Sequence, residues 1–190
     1  MKKFFQNERG VITVELMVIL PTLLLTFMAM IVFFDAFHKW MKFTTASYTI
    51  TDLISRQTVV DDNFLFSLDG VFDTISDTNN DSDTWYRVTS VKKTDSTISI
   101  LWSVHTAPVA QLSLIPTDIE NHIPNKSINE HLLLVETFSP FTPAFDWVGL
   151  NGILFTETIA TSSRFSSKLA NLDHLIYSPP SDDGVDDPLN

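Results

Sequence analysis

The residues best suited to chemistry lie near the start of the chain, which reads ERGVITVELMVILPTLLL from Glu8. Glu15 is the one charged residue between Val11 and Phe34, and a carboxylate in hydrocarbon normally has a partner. It could lie at the level of the lipid headgroups, within reach of water. Alternatively, a cut after Gly10 gives Val11 a free α-amine, and Glu15 accepts a charge-assisted hydrogen bond from that amine or a neighbouring subunit's. In the second interpretation the glutamate favours assembly.

A possible calcium ligand set follows the predicted second helix. Its oxygen-bearing side chains alternate with other residues: Asp77, Asn79, Asp81 and Asp83. A helix–loop–helix calcium site also needs glycine at loop position 6 and glutamate at position 12. Ser82 and Val88 stand there instead. We therefore expect a solvated turn, with calcium as the alternative.

Motifs for enzymatic chemistry are otherwise missing from the sequence. The five glycines cannot build a P-loop or G-x-G-x-x-G, and neither H-E-x-x-H nor G-x-S-x-G occurs. Glu136 and Glu157 fall in predicted strands and could form a catalytic carboxylate pair, although ion pairs with Arg87 or Arg164 are more usual for strand glutamates. We predict a protein that is not an enzyme and has no cofactor. A hydrolase using the two glutamates is a rival.

The candidate residues near the start of the chain, Gly10, Val11 and Glu15, would be held by a long N-terminal helix. Residues 11–34 would span roughly 36 Å as a helix, against about 30 Å of bilayer hydrocarbon, so they predict a transmembrane segment. The leader, residues 1–10, contains Lys2, Lys3 and Arg9, which favours a cytoplasmic N-terminus and a body on the far side. A cleaved secretory signal is a rival, but the apolar run is long and no A-x-A site closes it.

The helix is expected to continue as a stalk over residues 35–60 with two apolar stripes. One stripe contains Phe43, Ala46, Ile50, Leu53 and Ile54, and the other contains Phe37, Trp40, Met41 and Tyr48. Either one stripe covers the domain's own sheet and the other meets a partner helix or the bilayer surface, or both stripes belong to the core.

Residues 61–170 predict an α+β domain with a mostly antiparallel sheet. A short helix carries Leu65, Leu68, Phe72 and Ile75. Strand-like runs follow at 86–92, 97–104, 131–138 and 153–161. In the second run we expect one face to hold Ile98, Ile100, Trp102 and Val104.

Two segments of this body have no strand pattern. The connection 107–126 is long, so it is either a partner surface or a short helix with an irregular crossover. The tail, residues 171–190, is acidic and interrupted by proline and glycine, and we expect it to be disordered.

Composition excludes several classes of function. The net charge is −11, and the leader contributes +2, so residues 11–190 carry −13. A body this acidic repels phosphate backbones, and no basic cluster offsets the repulsion, which argues against a nucleic-acid partner. The chain has no cysteine, which excludes a disulfide, a cysteine nucleophile and a cysteine-ligated metal.

A basic leader ending in glycine, then G-x-x-x-x-E and a long apolar helix, resembles the cleavage and assembly signature of type IV prepilins. More narrowly, ERGVITVELMVILPTLLL, with Pro21, resembles the start of the TadE/TadG family of tight adherence (Tad, or Flp) pilus proteins. The resemblance continues in ITDLISRQ (50–57), WYRVTSV (85–91), ISILWSV (98–104), FSPFTPAF (138–145) and FTETIATSSRF (155–165). The family often has an aromatic residue after the glutamate, where this chain has Leu16.

The resemblance implies that Gly10 precedes the bond cut by a prepilin peptidase, that Val11 is the mature first residue and that Glu15 is the assembly glutamate. TadG members often carry a large extra domain, so a TadE- or TadF-like minor pilin or pseudopilin is the better match. The implied protein crosses the bacterial inner membrane once, with a pilin-like periplasmic domain, and serves a pilus of cell adhesion. Its implied partners are the peptidase, other pilins and the Tad assembly platform. The alternative is an uncleaved, single-span scaffold or binding protein.

Overall fold

The computed structural model describes residues 8–77, 84–94, 97–106, 119–123, 130–143, 145 and 152–173, with side chains from residue 13 onward. The helices are α1 (Glu8–Ser55) and α2 (Asp62–Ser76). The strands are β1 (Val59–Val60), β2 (Trp85–Lys93), β3 (Ile98–His105), β4 (Glu130–Phe141), β5 (Ile153–Thr161) and β6 (Ala170–Asn171). The prediction of an α+β fold with a long N-terminal helix and a mostly antiparallel sheet is confirmed.

The chain divides into two compact units, residues 1–39 with 141–153 and residues 40–140 with 154–190. In the first unit, most of the large apolar side chains of α1 are exposed, among them Met17 and Phe34. The second unit contains a four-stranded sheet in the order β3-β2-β4-β5, in which β2 pairs antiparallel with both neighbours. Strands β1 and β6 form a separate parallel pair.

One stripe of α1 covers one face of the sheet. Its buried residues are Phe43, Ala46, Ile50 and Ile54, spaced by three and four residues as one helix face requires. They share a core with Leu65, Leu68 and Phe72 of α2 and with Tyr86, Val88, Trp102, Val104, Leu133 and Val135 of the sheet. The hydroxyl of Tyr86 donates to the Leu65 carbonyl and so ties α2 to β2.

The second stripe of α1 stays exposed. The exposed fractions are 64% for Phe37, 45% for Trp40, 63% for Met41 and 56% for Tyr48. The alternative in which both stripes belong to the core is therefore wrong, because the described part of the body covers the helix with a sheet on one side only.

A bulge in β3 overturns the predicted face of that strand. Trp102 pairs with Ser90 and Ile100 pairs with Val91, so Leu101 is an extra residue. The bulge reverses the alternation of side chains, and Ile98 and Ile100 lie on the face opposite to Trp102 and Val104. Ile98 packs instead with a second cluster made of Val91, Ile119, Ile123, Leu132 and Leu134.

Residues 119–123 cover this second face of the sheet. Ile119 and Ile123 are 1% and 4% exposed, which removes these two side chains from a partner surface. The other residues of 107–126 lie outside the described residues, as does the tail from residue 174.

The C-terminal end of α1 and the residues after it are held by contacts with distant segments of the chain. Helix α1 ends at Ser55, before the predicted stalk end at 60, and the Ser55 carbonyl accepts from the Arg164 backbone N–H at 2.9 Å. Val59 and Val60 leave the helix and pair with Ala170 and Asn171, so Asn171 belongs to the body. These contacts link two segments of the sequence resemblance, ITDLISRQ and FTETIATSSRF.

Candidate functional site

The predicted processing and assembly residues all lie in the first turns of α1. Gly10 and Val11 are helical, and their side-chain surroundings are outside the described part of the structure. The Glu15 side chain is exposed, and within the described residues its carboxylate makes no ion pair or hydrogen bond. Neither interpretation of Glu15 is excluded by this position: the carboxylate is open to water or to a partner supplied by assembly.

The helix that carries these residues presents an apolar surface on several sides. Leu16, Met17, Leu20 and Leu24 are all more than half exposed. By length and composition α1 could cross a membrane, and it is the one such helix among the described residues. Within hydrocarbon an α-helix satisfies its backbone hydrogen bonds internally, so this segment needs no further element to be stable in a bilayer.

Pro21 shapes the middle of this apolar surface. Proline has no N–H, so the Met17 carbonyl loses the donor that residue 21 would supply. The Thr22 hydroxyl donates to the Val18 carbonyl at 3.1 Å, and the Thr26 hydroxyl donates to the Thr22 carbonyl at 2.8 Å. Val18, Thr22 and Thr26 line a shallow, open cavity of about 390 Å³ with Ile19 and Leu23. Threonines with satisfied hydroxyls allow close approach of another transmembrane helix.

The two strand glutamates are not brought together. Glu136 lies opposite Arg87 in the β2–β4 ladder, and its Oε2 is 2.7 Å from Arg87 Nε and 2.5 Å from Nη2. Both side chains are nearly buried. Phe155 packs on the α1 side of the sheet and Ala160 on the other, so alternation places Glu157 on the α1 side. Glu136 lies on the opposite face, because the residues before and after it in β4, Val135 and Thr137, face α1.

The other predicted ion-pair candidate, Arg164, bonds elsewhere. Its Nη2 lies 2.9 Å from Asp52 Oδ1, and Arg56 Nε lies 2.8 Å from Asp52 Oδ2. Asp52 thus joins the last turns of α1 to the segment after β5, beside the cap on Ser55.

Of the four calcium candidates, the structure describes Asp77 alone. Asp77 ends α2 in the left-handed conformation, with φ of 60°, and its Oδ2 is 2.5 Å from Lys42 Nζ. Asn79, Asp81 and Asp83 lie outside the described residues. In the residues that are described, no group of three or more acidic or histidine side chains could hold a metal ion.

Two titratable groups of the body escaped the sequence analysis. Burial raises the pKa of Asp69, with a contribution from Asp73, while a hydrogen bond with Thr106 opposes the shift. Burial lowers the pKa of His131, and Lys92 and Lys168 lower it further. The signal for Asp69 was present, since it lies four residues after Leu65 and three before Phe72 on the buried side of α2.

The exposed apolar helix, followed by an α+β body, indicates single-pass membrane anchoring. Residues 10–51 match the family model described as TadE-like protein. The match covers Gly10, Glu15 and Pro21 and confirms the resemblance over this segment. No curated protein and no solved structure matches the chain.

Proposed function

We propose that this protein is a minor pilin or pseudopilin of a Tad pilus, cut by a prepilin peptidase after Gly10. The observation that carries the proposal is the TadE-like match over residues 10–51, which includes G-x-x-x-x-E at the head of an exposed apolar helix. In this role the protein performs no catalysis. It is a substrate of the peptidase and a subunit for assembly.

The carboxylate of Glu15 supplies the physical reason for assembly. On an apolar helix a charged group costs a few kcal/mol in hydrocarbon, roughly 3 kcal/mol on insertion scales. After cleavage, the Val11 amine of the same or another subunit offsets that cost through a charge-assisted hydrogen bond. Because water is excluded from a helix bundle, the contact is worth more there than in the isolated chain.

The same proposal fixes the placement of the chain. Lys2, Lys3 and Arg9 hold the N-terminus in the cytoplasm, so the body lies in the periplasm when the helix crosses the inner membrane. Other pilins and the Tad assembly platform contact the helix, and the concave surface beside Pro21 is one place where a second helix fits.

Complementation of a deletion strain tests this function. We expect the native gene to restore surface pili, and Glu15→Ala to be inserted and processed normally but to leave pili absent, because the amine loses its carboxylate partner. Leu16→Ala is the matched control, since it changes an exposed neighbour without removing charge. Normal piliation in the deletion strain would refute the proposed function, and normal piliation with Glu15→Ala would refute the role of Glu15.

The alternative, an uncleaved scaffold anchored by one span, draws on the position of Glu15. It lies seven residues after the helix start at Glu8, or about 10 Å along the axis. A carboxylate at that depth can reach the headgroup layer without a protein partner. In that case Glu15→Ala leaves the function of the protein unchanged.

A further inference from the structure

Large apolar side chains continue along α1 from Phe34, at the end of the apolar segment 11–34, into the body. We call Phe34, Phe37, Met41 and Tyr48 the outer stripe; they are 75%, 64%, 63% and 56% exposed. At about 100° per residue, these four positions fall on one narrow face of the helix.

The outer stripe lies opposite the face of α1 that covers the sheet. From Met41, the buried residues Phe43 and Ala46 are about 160° and 140° away around the helix axis. An amphipathic surface helix normally presents polar residues on this side. The body of the protein therefore leaves the apolar side of the helix open, between Met41 and Tyr48, to a neighbouring molecule.

The bilayer cannot cover the whole outer stripe. Tyr48 follows Phe34 by fourteen residues, which is about 21 Å of helix, whereas the headgroup layer is only about 5–8 Å thick. A helix near the membrane normal therefore carries Tyr48 well beyond the lipid. Tyr48 is therefore open to water or to a protein partner and not to lipid.

The spacing of the outer stripe is that of a coiled-coil seam. Phe34, Met41 and Tyr48 repeat every seven residues, and Phe37 occupies the intervening d position, with Thr44 at the next. The flanking e and g positions hold His38, Trp40 and Thr45, whereas Ser47, at the last g position, is buried in the body with its Oγ 2.7 Å from Thr137 Oγ1. With no Lys, Arg, Asp or Glu among them, no like-charge repulsion opposes pairing of the helix with itself.

We propose that the outer stripe is the seam of a parallel homodimer, in which α1 of one copy packs against α1 of a second. All copies of a single-pass protein insert with the same orientation, so identical stripes meet in parallel and at the same height. Confinement to one membrane also raises the effective concentration of the partner. The proposal depends on single-pass anchoring and not on cleavage after Gly10.

Cysteine cross-linking in native membranes tests the seam, and the chain contains no native cysteine to interfere. Met41→Cys and Tyr48→Cys should each give disulfide-linked dimers on mild oxidation, because a seam brings equivalent positions into the range that a disulfide spans. Lys42→Cys and Thr49→Cys, each one residue away and outside the a and d positions, are the matched controls. We expect several-fold more dimer at the stripe positions than at the controls.

The outcomes that overturn the homodimer are equal cross-linking at all four positions, no cross-linking at Met41→Cys and Tyr48→Cys, or a cross-linked product with a different protein. Repeating the experiment with Gly10→Ala separates the two proposals, since the seam predicts a dimer of uncleaved chains as well.

A charge placed in the seam gives a second test. Tyr48→Glu should abolish the cross-link through Met41→Cys, because two carboxylates would face each other at an a position. Tyr48→Phe, which keeps the ring, should preserve it. Tyr48 is exposed in the single chain, so neither variant should alter the melting temperature of the body, and a cross-link that survives Tyr48→Glu would contradict the seam.

Discussion

At the scale of single residues, the pair Arg87–Glu136 shows how the sheet tolerates charge in its interior. The two side chains are 4% and 14% exposed, and two nitrogen–oxygen contacts join them. Next to them Trp85 stacks on Phe138 with ring centroids 3.9 Å apart. The ring pair and the ion pair lie two rungs apart in the β2–β4 ladder, with Tyr86 and Thr137 between them, so both are on the face opposite α1.

Breaking this ion pair should destabilise the body strongly. Arg87→Met leaves the Glu136 carboxylate nearly buried without its partner, at an expected cost of about 3–5 kcal/mol in the free energy of unfolding. The double variant Arg87→Met/Glu136→Leu should recover most of that loss, because it removes both charges. Urea unfolding of the two variants measures the difference. Equal stability of single and double variants would show that the pair is not coupled.

Asp69 provides a prediction that depends on pH. Because burial raises its folded pKa, the folded body binds more protons than the unfolded chain between the ordinary aspartate pKa and the raised one. Stability therefore falls as the pH rises through that window and stays lower above it. Asp69→Asn removes the ionised form while keeping an oxygen for Thr106, so it should raise the melting temperature at pH 7. The gain should shrink as the pH approaches about 4.

Asp73→Asn, in the same helix α2, is a less suitable control, because it would also disturb the hydrogen bond that Thr84 donates to Asp73 Oδ1. Asp35→Asn, in a half-exposed pair with Lys39 outside the body, is the better comparison. An Asp69→Asn gain that does not change with pH would contradict the assigned cause.

At the scale of elements, α2 depends on its N-terminal cap. Asp61 adopts an extended conformation, and its Oδ1 accepts from the Phe64 backbone N–H at 2.8 Å. Asp61 directly precedes the helix that carries the apolar side chains Leu65, Leu68 and Phe72. All three apolar side chains prove to be buried.

Asp61→Ala should lower the free energy of unfolding by about 1 kcal/mol, the usual loss for a removed helix cap. Asp61→Asn keeps an acceptor for the Phe64 N–H and should be close to the native protein. Thermal unfolding followed by circular dichroism measures both variants. A loss as large in Asp61→Asn as in Asp61→Ala would assign the effect to charge and not to capping.

The main elements could be predicted from sequence because their apolar spacings are long and regular. The run 153–161 matches β5, and the runs for β2, β3 and β4 differ from the structure only near their ends. The β3 bulge could not be predicted, since an extra residue at Leu101 leaves no mark on composition. Strands β1 and β6 have two residues each and depend on a contact between distant parts of the chain, which local periodicity does not contain.

The candidate site was predicted in a different way. Gly10, Glu15 and Pro21 were identified by residue type and order, and the helix that holds them followed from its apolar length. The exposure of the second stripe could not be read from sequence, because helical spacing gives the faces of a helix but not the number of surfaces available to cover them.

At the scale of the whole molecule, charge and hydropathy change along the chain in the order expected for a protein with an N-terminal membrane anchor. A leader of charge +2 precedes an apolar helix, and residues 11–190 carry −13. The chain thus combines a G-x-x-x-x-E motif, an apolar helix long enough to cross a membrane and a body in which one face of its helix stays exposed and apolar.

Processing after Gly10 is the central claim, and the intact mass and N-terminal sequence of the protein from its native membrane test it most directly. Gly10→Ala is the matched variant, because it alters the residue before the bond and leaves Val11 and Glu15 in place. The account predicts a native chain that begins at Val11 and a Gly10→Ala chain of full length. A native chain that still begins at Met1 or Lys2 would contradict it.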